Sequence, residues 1–354
     1  MFFEFPVVLV VQRTLLRLNG CRISDFELNP MTPRQRFNDT MRYASPDRVP
    51  WLDEGLRDNV LDNWHEQGLP QDSDLAALFH YDRRERIELD LGARPKLDRP
   101  PQLWENIAEF RKRLDPSDPA RLPADWPQRV ERWRNRDHIL EVPLHSGLFL
   151  TLRVNEWATL EPVLYLLADQ PLLAREVMDA QAQLTAALAD RVLSEVEVDF
   201  ASFSEPIGGS RGPLVSPRTY KEVVLDSYKP ILDVLRRRNV QTIVFMTYAN
   251  AAILLPLALD AGFNCLWAME TETEAMDYRM LRRRFGKSLR LIGGIDLDAL
   301  LAGEAATEHE IKTKVPPLLA QGGFVPLADG RVRASVPYPA YAHYRRLLEE
   351  ITRR

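Results

Sequence analysis

The sequence predicts a single (β/α)8 barrel, and three observations carry that expectation. Residues 240–270 read as an apolar run at 242–246, a helical pattern through Ile253, Leu254, Leu257 and Leu259, and a second apolar run at 263–269. A strand, a helix and a strand in that order make a βαβ unit. Comparable runs recur along the chain, eight in all, with helical patterns between them. Most of them end in a polar residue, and parallel α/β folds gather their chemistry at the carboxyl ends of strands. At 354 residues, one large barrel suits the length.

The elements follow in order. Thr32 and Pro33 open a helix with Phe37 and Met41 on one face. The segment SPDRVP, residues 45–50, breaks it and leads into strand one at 49–52, ending at Asp53. A helical stretch at 59–67 precedes strand two at 86–91, where Ile87, Leu89 and Leu91 alternate with Asp90 on the other face. Residues 92–137 are rich in Pro, Arg and Asp and predict short capping helices pinned by Trp104, Trp126 and Trp133. Strand three, 139–144, ends at His145. Helices at 156–167 and 171–192 follow, split by the DQP break.

Strand four, 197–203, ends at Ser204 and Glu205 and runs into the glycine-rich PIGGSRGP. Ser216 and Pro217 open a helix to Arg238, and strands five and six are those of the βαβ unit. A helix at 275–285 precedes strand seven at 289–292, which ends at Asp296. The amphipathic stretch 309–321 precedes strand eight at 324–327, which ends at Asp329, and a helix at 338–351 closes the chain.

Composition excludes some functions. Formal net charge is −5, so nothing in the totals suggests a nucleic-acid surface. The arginine triplets at 236–238 and 282–284 end helices, where cations complement the helix dipole. Cys21 and Cys265 stand far apart with no CxxC, which leaves neither a disulfide framework nor a cysteine-rich zinc site and fits a reducing, cytoplasmic setting. The apolar start lacks a basic leader, is interrupted by Glu4 and Pro6, and is too short to cross a bilayer. Because a well-formed segment begins at Met31, residues 1–30 read as an extension outside the barrel of residues 31–354.

The strand ends carry Asp53, Asp90, His145, Glu205, Asn250, Glu270, Asp296 and Asp329. Carboxylates converging on one mouth must share protons, pair with arginine, bind a metal or meet a cationic substrate. Arg153, Arg211, Arg331 and Arg333 are the arginines near mouth loops. Glu205 stands out because it precedes a glycine-rich turn where backbone can approach a ligand closely. That turn lacks the Walker lysine and GxGxxG spacing, so it is a weak phosphate signal. No HExxH or His-x-His pattern exists, and a lone His145 reads as a hydrogen-bonded strand-end residue. Glu205, Asp329, Asn250 and Glu270 are therefore the catalytic candidates, with Asp53, His145, Tyr248, Arg211 and Arg331 as substrate contacts.

From residue 31 to 351 the chain resembles the uroporphyrinogen decarboxylase superfamily. The residues that carry the resemblance are MTPRQRF, SPDRVP, VDFASFSEPIG, PLVSP at 213–217, AGFN, FGKSLRLIGGID and GGF at 322–324. The resemblance implies a (β/α)8 barrel with its site at the carboxyl-terminal mouth. Decarboxylase members present arginines after strand one, where this chain has Asp53 and Glu54. Methyltransferase members that serve a corrinoid often bind zinc through a His-x-Cys pair, where this chain has Met246 and Tyr248, so a thiolate zinc site is excluded. A zinc held by oxygen on Glu205, Glu270 and Asp329 stays open.

The resulting expectation is methyl transfer from a small methoxy or cationic substrate to a corrinoid protein partner. The alternatives are a cofactor-free decarboxylase or lyase, with Asp329 or Asp53 as proton donor, and a non-catalytic barrel partner. A homodimer stays open, and neither nucleic acid nor membrane is expected as a partner.

Overall fold

The strands are β1 (Arg84–Arg86), β2 (Ile139–His145), β3 (Phe200–Glu205), β4 (Gly208–Gly209), β5 (Gly212–Pro213), β6 (Ile243–Tyr248), β7 (Cys265–Met269), β8 (Arg290–Ile295) and β9 (Phe324–Ala328), and β6 is built mainly of the β-branched and aromatic types that favour extended backbone. The computed structural model describes residues 30–95, 106–154, 156–269 and 274–353. Except for Pro30, the extension read at 1–30 lies outside the described residues, as do Trp104 and Glu270. Among the described residues, seven strands pair in parallel in the order β1-β2-β3-β6-β7-β8-β9. β4 and β5 form a separate antiparallel ribbon.

Helices cross between the strands where the sequence expects them. Thr32 caps Pro33–Met41 with a reciprocal capping box to Gln35. Helices Trp157–Asp169 and Pro171–Glu195 meet at the DQP break. Ser216 caps the start of the next helical run, which passes through a π-helical turn, Tyr220–Leu225, into Asp226–Arg237. Leu255–Ala261, Tyr278–Phe285, Glu304–Leu319 and Tyr338–Thr352 complete the alternation. In the inserted segment, Trp126 and Trp133 are buried edge to face with ring centroids 5.5 Å apart, so they pin helices as expected.

Two strand expectations need correction. Residues 49–52 form no strand: Pro50 has no N–H to donate, and the Trp51 N–H donates to the Asp82 carboxylate at 2.8 Å instead of to a neighbouring strand. The second expected strand, 86–91, begins earlier and stops at Arg86, although the Ile87 N–H continues the pairing to the Glu141 carbonyl at 2.8 Å. Beyond it the Asp90 N–H turns away to the Arg121 carbonyl.

The strand pleat divides the molecule into two cores. Ile139, Phe200, Val244, Cys265, Trp267, Ile292 and Val325 pack on one side with Phe37, Met41 and Leu52. Their alternates, such as Leu140, Phe203, Phe245 and Leu266, pack against the helices. Continuing along the first side toward the carboxyl ends, Ile139 is followed by Glu141 and Phe200 by Ser202, so that face is apolar at the bottom and polar at the top.

Candidate active site

The polar upper layer lines a cavity of about 770 Å³. β2 contributes Glu141, Pro143 and His145, β3 contributes Ser202 and Ser204, and β6 contributes Met246 and Tyr248. All are alternate residues of their strands, so one pleat parity builds the wall. Arg84 and Arg86 of β1, Glu54, Asp90, Arg153 and Arg331 complete its charged lining.

Glu54 is the most perturbed acid in that lining. Burial pushes its carboxyl up to about 8, Arg84 pulls it back, and Glu141 and Asp53 push it further up. Its Oε1 is buried with no hydrogen-bond partner among the described residues. A carboxyl in that state is neutral near pH 7 and able to donate a proton into the cavity. Arg84 lies between the acids: its guanidinium sits 4.9 Å over the Trp267 ring and 3.7 Å from Glu141 Oε2. Glu141 is fully buried and accepts from Ser202 Oγ at 2.5 Å. Among the described residues, no carboxylate pairs with Arg153 or Arg331; Arg331 donates one N–H to the Leu56 carbonyl, and the remaining guanidinium N–H groups can serve an anionic ligand.

His145 faces the cavity with one edge only. Its Nδ1 accepts from the Gly147 N–H at 2.9 Å and lies 3.1 Å from the Tyr228 hydroxyl. Burial pushes the imidazole down to about 3, so the ring is neutral. Because Nδ1 is an acceptor, hydrogen bonding assigns the ring proton to Nε2. That Nε2 is buried without a partner among the described residues, while the residue lines the cavity. Gly147 makes the turn possible: its φ is +84°, and a Cβ there would meet the Ser204 carbonyl at 2.5 Å and Glu205 Oε1 at 2.7 Å.

The other expected site residues are distributed unevenly. Tyr248 and Arg331 join His145 in the cavity lining. Glu205 has the opposite pleat parity from Ser204 and turns toward the helices. It is fully buried, its Oε1 accepts from the Leu148 N–H at 2.8 Å, its Oε2 lies 2.8 Å from the Tyr228 hydroxyl oxygen, and it does not line the cavity. Burial pushes its carboxyl up to about 7, and those two hydrogen bonds pull it back. Asp329 accepts from the Leu297 N–H at 2.9 Å and borders a separate small recess with Arg57 and Asp298.

Asn250 pairs with Gly209 of the ribbon and accepts from the Ala252 N–H at 3.2 Å, a turn-building role. Arg211 is exposed at the ribbon tip. Asp53 accepts from the Gly55 N–H at 3.2 Å and lies outside the cavity lining. Glu270 falls outside the described residues. Among the described residues no three His, Cys, Asp or Glu side chains are grouped to hold a metal, and both oxygens of Glu205 are already engaged. Of the three expected zinc ligands, Glu205 and Asp329 thus do not share one cavity, and the third, Glu270, lies outside the described residues.

Sequence reasoning passed over Glu54, Glu141, Arg84, Arg86 and Tyr228 as site residues. The readable signal for Glu141 was its alternation with His145 along one strand. Glu54 needed knowledge of which way its segment faces.

The uroporphyrinogen decarboxylase family model matches residues 156–325. No curated protein sequence matches the chain. The fold is similar to that of a methyltransferase from Methanosarcina mazei, with a TM-score of 0.55 at 13% identity, over 91% of this chain and 98% of that one. No helix among the described residues is long and apolar enough to cross a membrane.

Proposed function

We propose that this protein, whose residues 156–325 match the uroporphyrinogen decarboxylase family model, transfers a methyl group from a small anionic methoxy compound to a corrinoid on a partner protein. The observation that supports it most directly is Glu54, a neutral acid with a free oxygen in a cavity that arginines make attractive to anions. The same arginines disfavour a cationic methyl donor by like-charge repulsion.

Arg153 and Arg331 hold the substrate's carboxylate by charge-assisted hydrogen bonds. The methoxy oxygen then lies toward Glu54, and as its bond to the methyl carbon breaks the bonding pair stays on oxygen. Glu54 gives that oxygen its proton, releasing a hydroxyl product and leaving a carboxylate near Arg84. A corrinoid supplies the nucleophile that accepts the methyl group. Exposed Leu150, Leu214 and Ile253, each following the carboxyl end of a strand, offer an apolar rim for the protein that carries it.

Closure into a complete (β/α)8 barrel is part of the same reading. Leu52 packs among the inward residues of the other strands, and Leu56 forms a parallel bridge with Val332 beyond β9. On this reading residues 49–56 span the gap in the sheet.

Decarboxylation is the second reading, because the same arginines and neutral acid suit loss of carbon dioxide followed by protonation of carbon. Purified full-length chain incubated with 4-methoxybenzoate and reduced cobalamin separates the two. Methylcobalamin absorbance rising with wild type and absent with Glu54→Gln is the expected outcome. Carbon dioxide release without methylcobalamin would replace methyl transfer with the lyase reading.

A further inference from the structure

Glu205 carries a buried carboxyl that the reaction above does not use, and its geometry explains His145. Tyr228 has one hydroxyl hydrogen and two neighbours, Glu205 Oε2 at 2.8 Å and His145 Nδ1 at 3.1 Å. If Glu205 were ionised, that hydrogen would go to the carboxylate, and the phenol oxygen would stand 3.1 Å from Nδ1, which the Gly147 N–H would hold alone, with no hydrogen between the two acceptors. With Glu205 neutral, its own hydrogen goes to the Tyr228 oxygen and the Tyr228 hydrogen goes to Nδ1. The Tyr228 hydrogen and the Gly147 N–H then share the single Nδ1 lone pair, and the Leu148 N–H supplies Oε1. The Tyr228 ring packs 4.5 Å from the imidazole, which fixes the ring's tilt.

We propose that Glu205 and Tyr228 form a buried latch that holds His145 with its Nε2–H directed into the cavity, making His145 the hydrogen-bond donor to a substrate oxygen. Glu205 and Tyr228 are positioning residues: they act from the helix side through the imidazole and never touch substrate. The unpartnered Nε2 supplies the independent sign of a ligand, since a buried donor left unpaired is costly until something accepts from it. The ligand class is a compound with an accepting oxygen, a carboxylate or an ether. The assignment rests on the cavity being the substrate site.

The test is nitrogen magnetic resonance of the full chain labelled at its histidines, with His145 assigned through His145→Gln. In wild type, Nδ1 is expected to resonate as an unprotonated, hydrogen-bonded nitrogen and Nε2 as a protonated one. Tyr228→Phe should move Nδ1 toward the position of an unbonded ring nitrogen. Glu205→Gln should leave it in place, because the amide donates to the phenol oxygen as the neutral carboxyl does. Benzoate, used as the probe, should shift Nε2.

A protonated Nδ1 in wild type would overturn the latch, and so would equal displacement of Nδ1 in Glu205→Gln and Tyr228→Phe. Benzoate shifting other cavity resonances but not Nε2 would overturn the donor role. Benzoate shifting none would refute the anion-binding reading of the cavity, leaving the latch to be judged on its nitrogen positions. These shifts are read without turnover, so failure of methyl transfer alone does not decide them.

Discussion

Replacing Glu54 by Gln should remove catalysis and at the same time make the protein more stable in mild alkali. The folded carboxyl keeps its proton to about pH 8, whereas an ordinary glutamate releases it near 4.5. Between those values the native state holds one proton more than the unfolded chain, so unfolding free energy falls as pH rises. The favourable contribution is complete below pH 4.5 and is lost on approach to pH 8. Its slope is about 1.4 kcal/mol per pH unit, which accumulates to roughly 4–5 kcal/mol across the window. Glutamine does not titrate and escapes that loss. Urea denaturation of both proteins at intervals from pH 5 to 9 measures the difference directly. Wild type should lose stability relative to Glu54→Gln steadily up to pH 8 and no further beyond it. Parallel pH dependences would refute the buried, neutral acid and with it the proton donor of the proposed reaction. Turnover in the variant should fall by about 10²-fold or more, the usual contribution of a positioned general acid.

Gly147→Ala should destabilise the fold by about 2–4 kcal/mol, because the new methyl group meets backbone at 2.5 Å in a left-handed conformation; an unchanged melting temperature would contradict the turn geometry. Arg153→Ala should weaken benzoate binding by about 10- to 100-fold, the range of one lost charge-assisted hydrogen bond, with melting temperature unchanged; calorimetric titration reads both the affinity and its absence. Cys265 is fully buried and its thiol is pushed up to about 12 by burial, so a Cys21→Ser protein should react with thiol reagents only after denaturation, and stoichiometric labelling of the native form would contradict the packing.

Much of the fold was legible because long apolar runs and capping signals are local. Thr32 with Gln35, the DQP break and the Ser216-Pro217 start each act within one turn of helix and were found where the sequence placed them. The missing strand at 49–52 was not legible, because it turned on Asp82, 31 residues away, taking the Trp51 N–H. The site was harder for a related reason. Each strand here is covered on both faces, so alternation does not say which parity looks into the cavity. Asp53 and Glu205 were preferred as strand-end carboxylates, yet the adjacent Glu54 and Ser204 are the residues that line it. A difference of one residue reverses a side chain's direction, and only the inter-strand register settles it.

That register also determines how the cavity handles charge. With Glu54 neutral, the lining sets the guanidiniums of Arg84, Arg86, Arg153 and Arg331 against the carboxylates of Asp90 and Glu141, a net positive wall. Such a wall draws in an anionic substrate. In the proposed reaction Glu54 becomes a third carboxylate once it has given up its proton, and the attraction for an anionic product would drop at the moment the product forms. The same change can be imposed without chemistry by raising pH through about 8, where Glu54 ionises and the arginines remain charged. Benzoate affinity should therefore fall by about fivefold from pH 7 to pH 9, the effect of roughly 1 kcal/mol from one added charge screened by the open cavity. Glu54→Gln should bind benzoate equally at both values. If wild type did so as well, the ionisation of Glu54 would have no influence on the bound anion, and charge-driven product release would be wrong even if the acid itself were right.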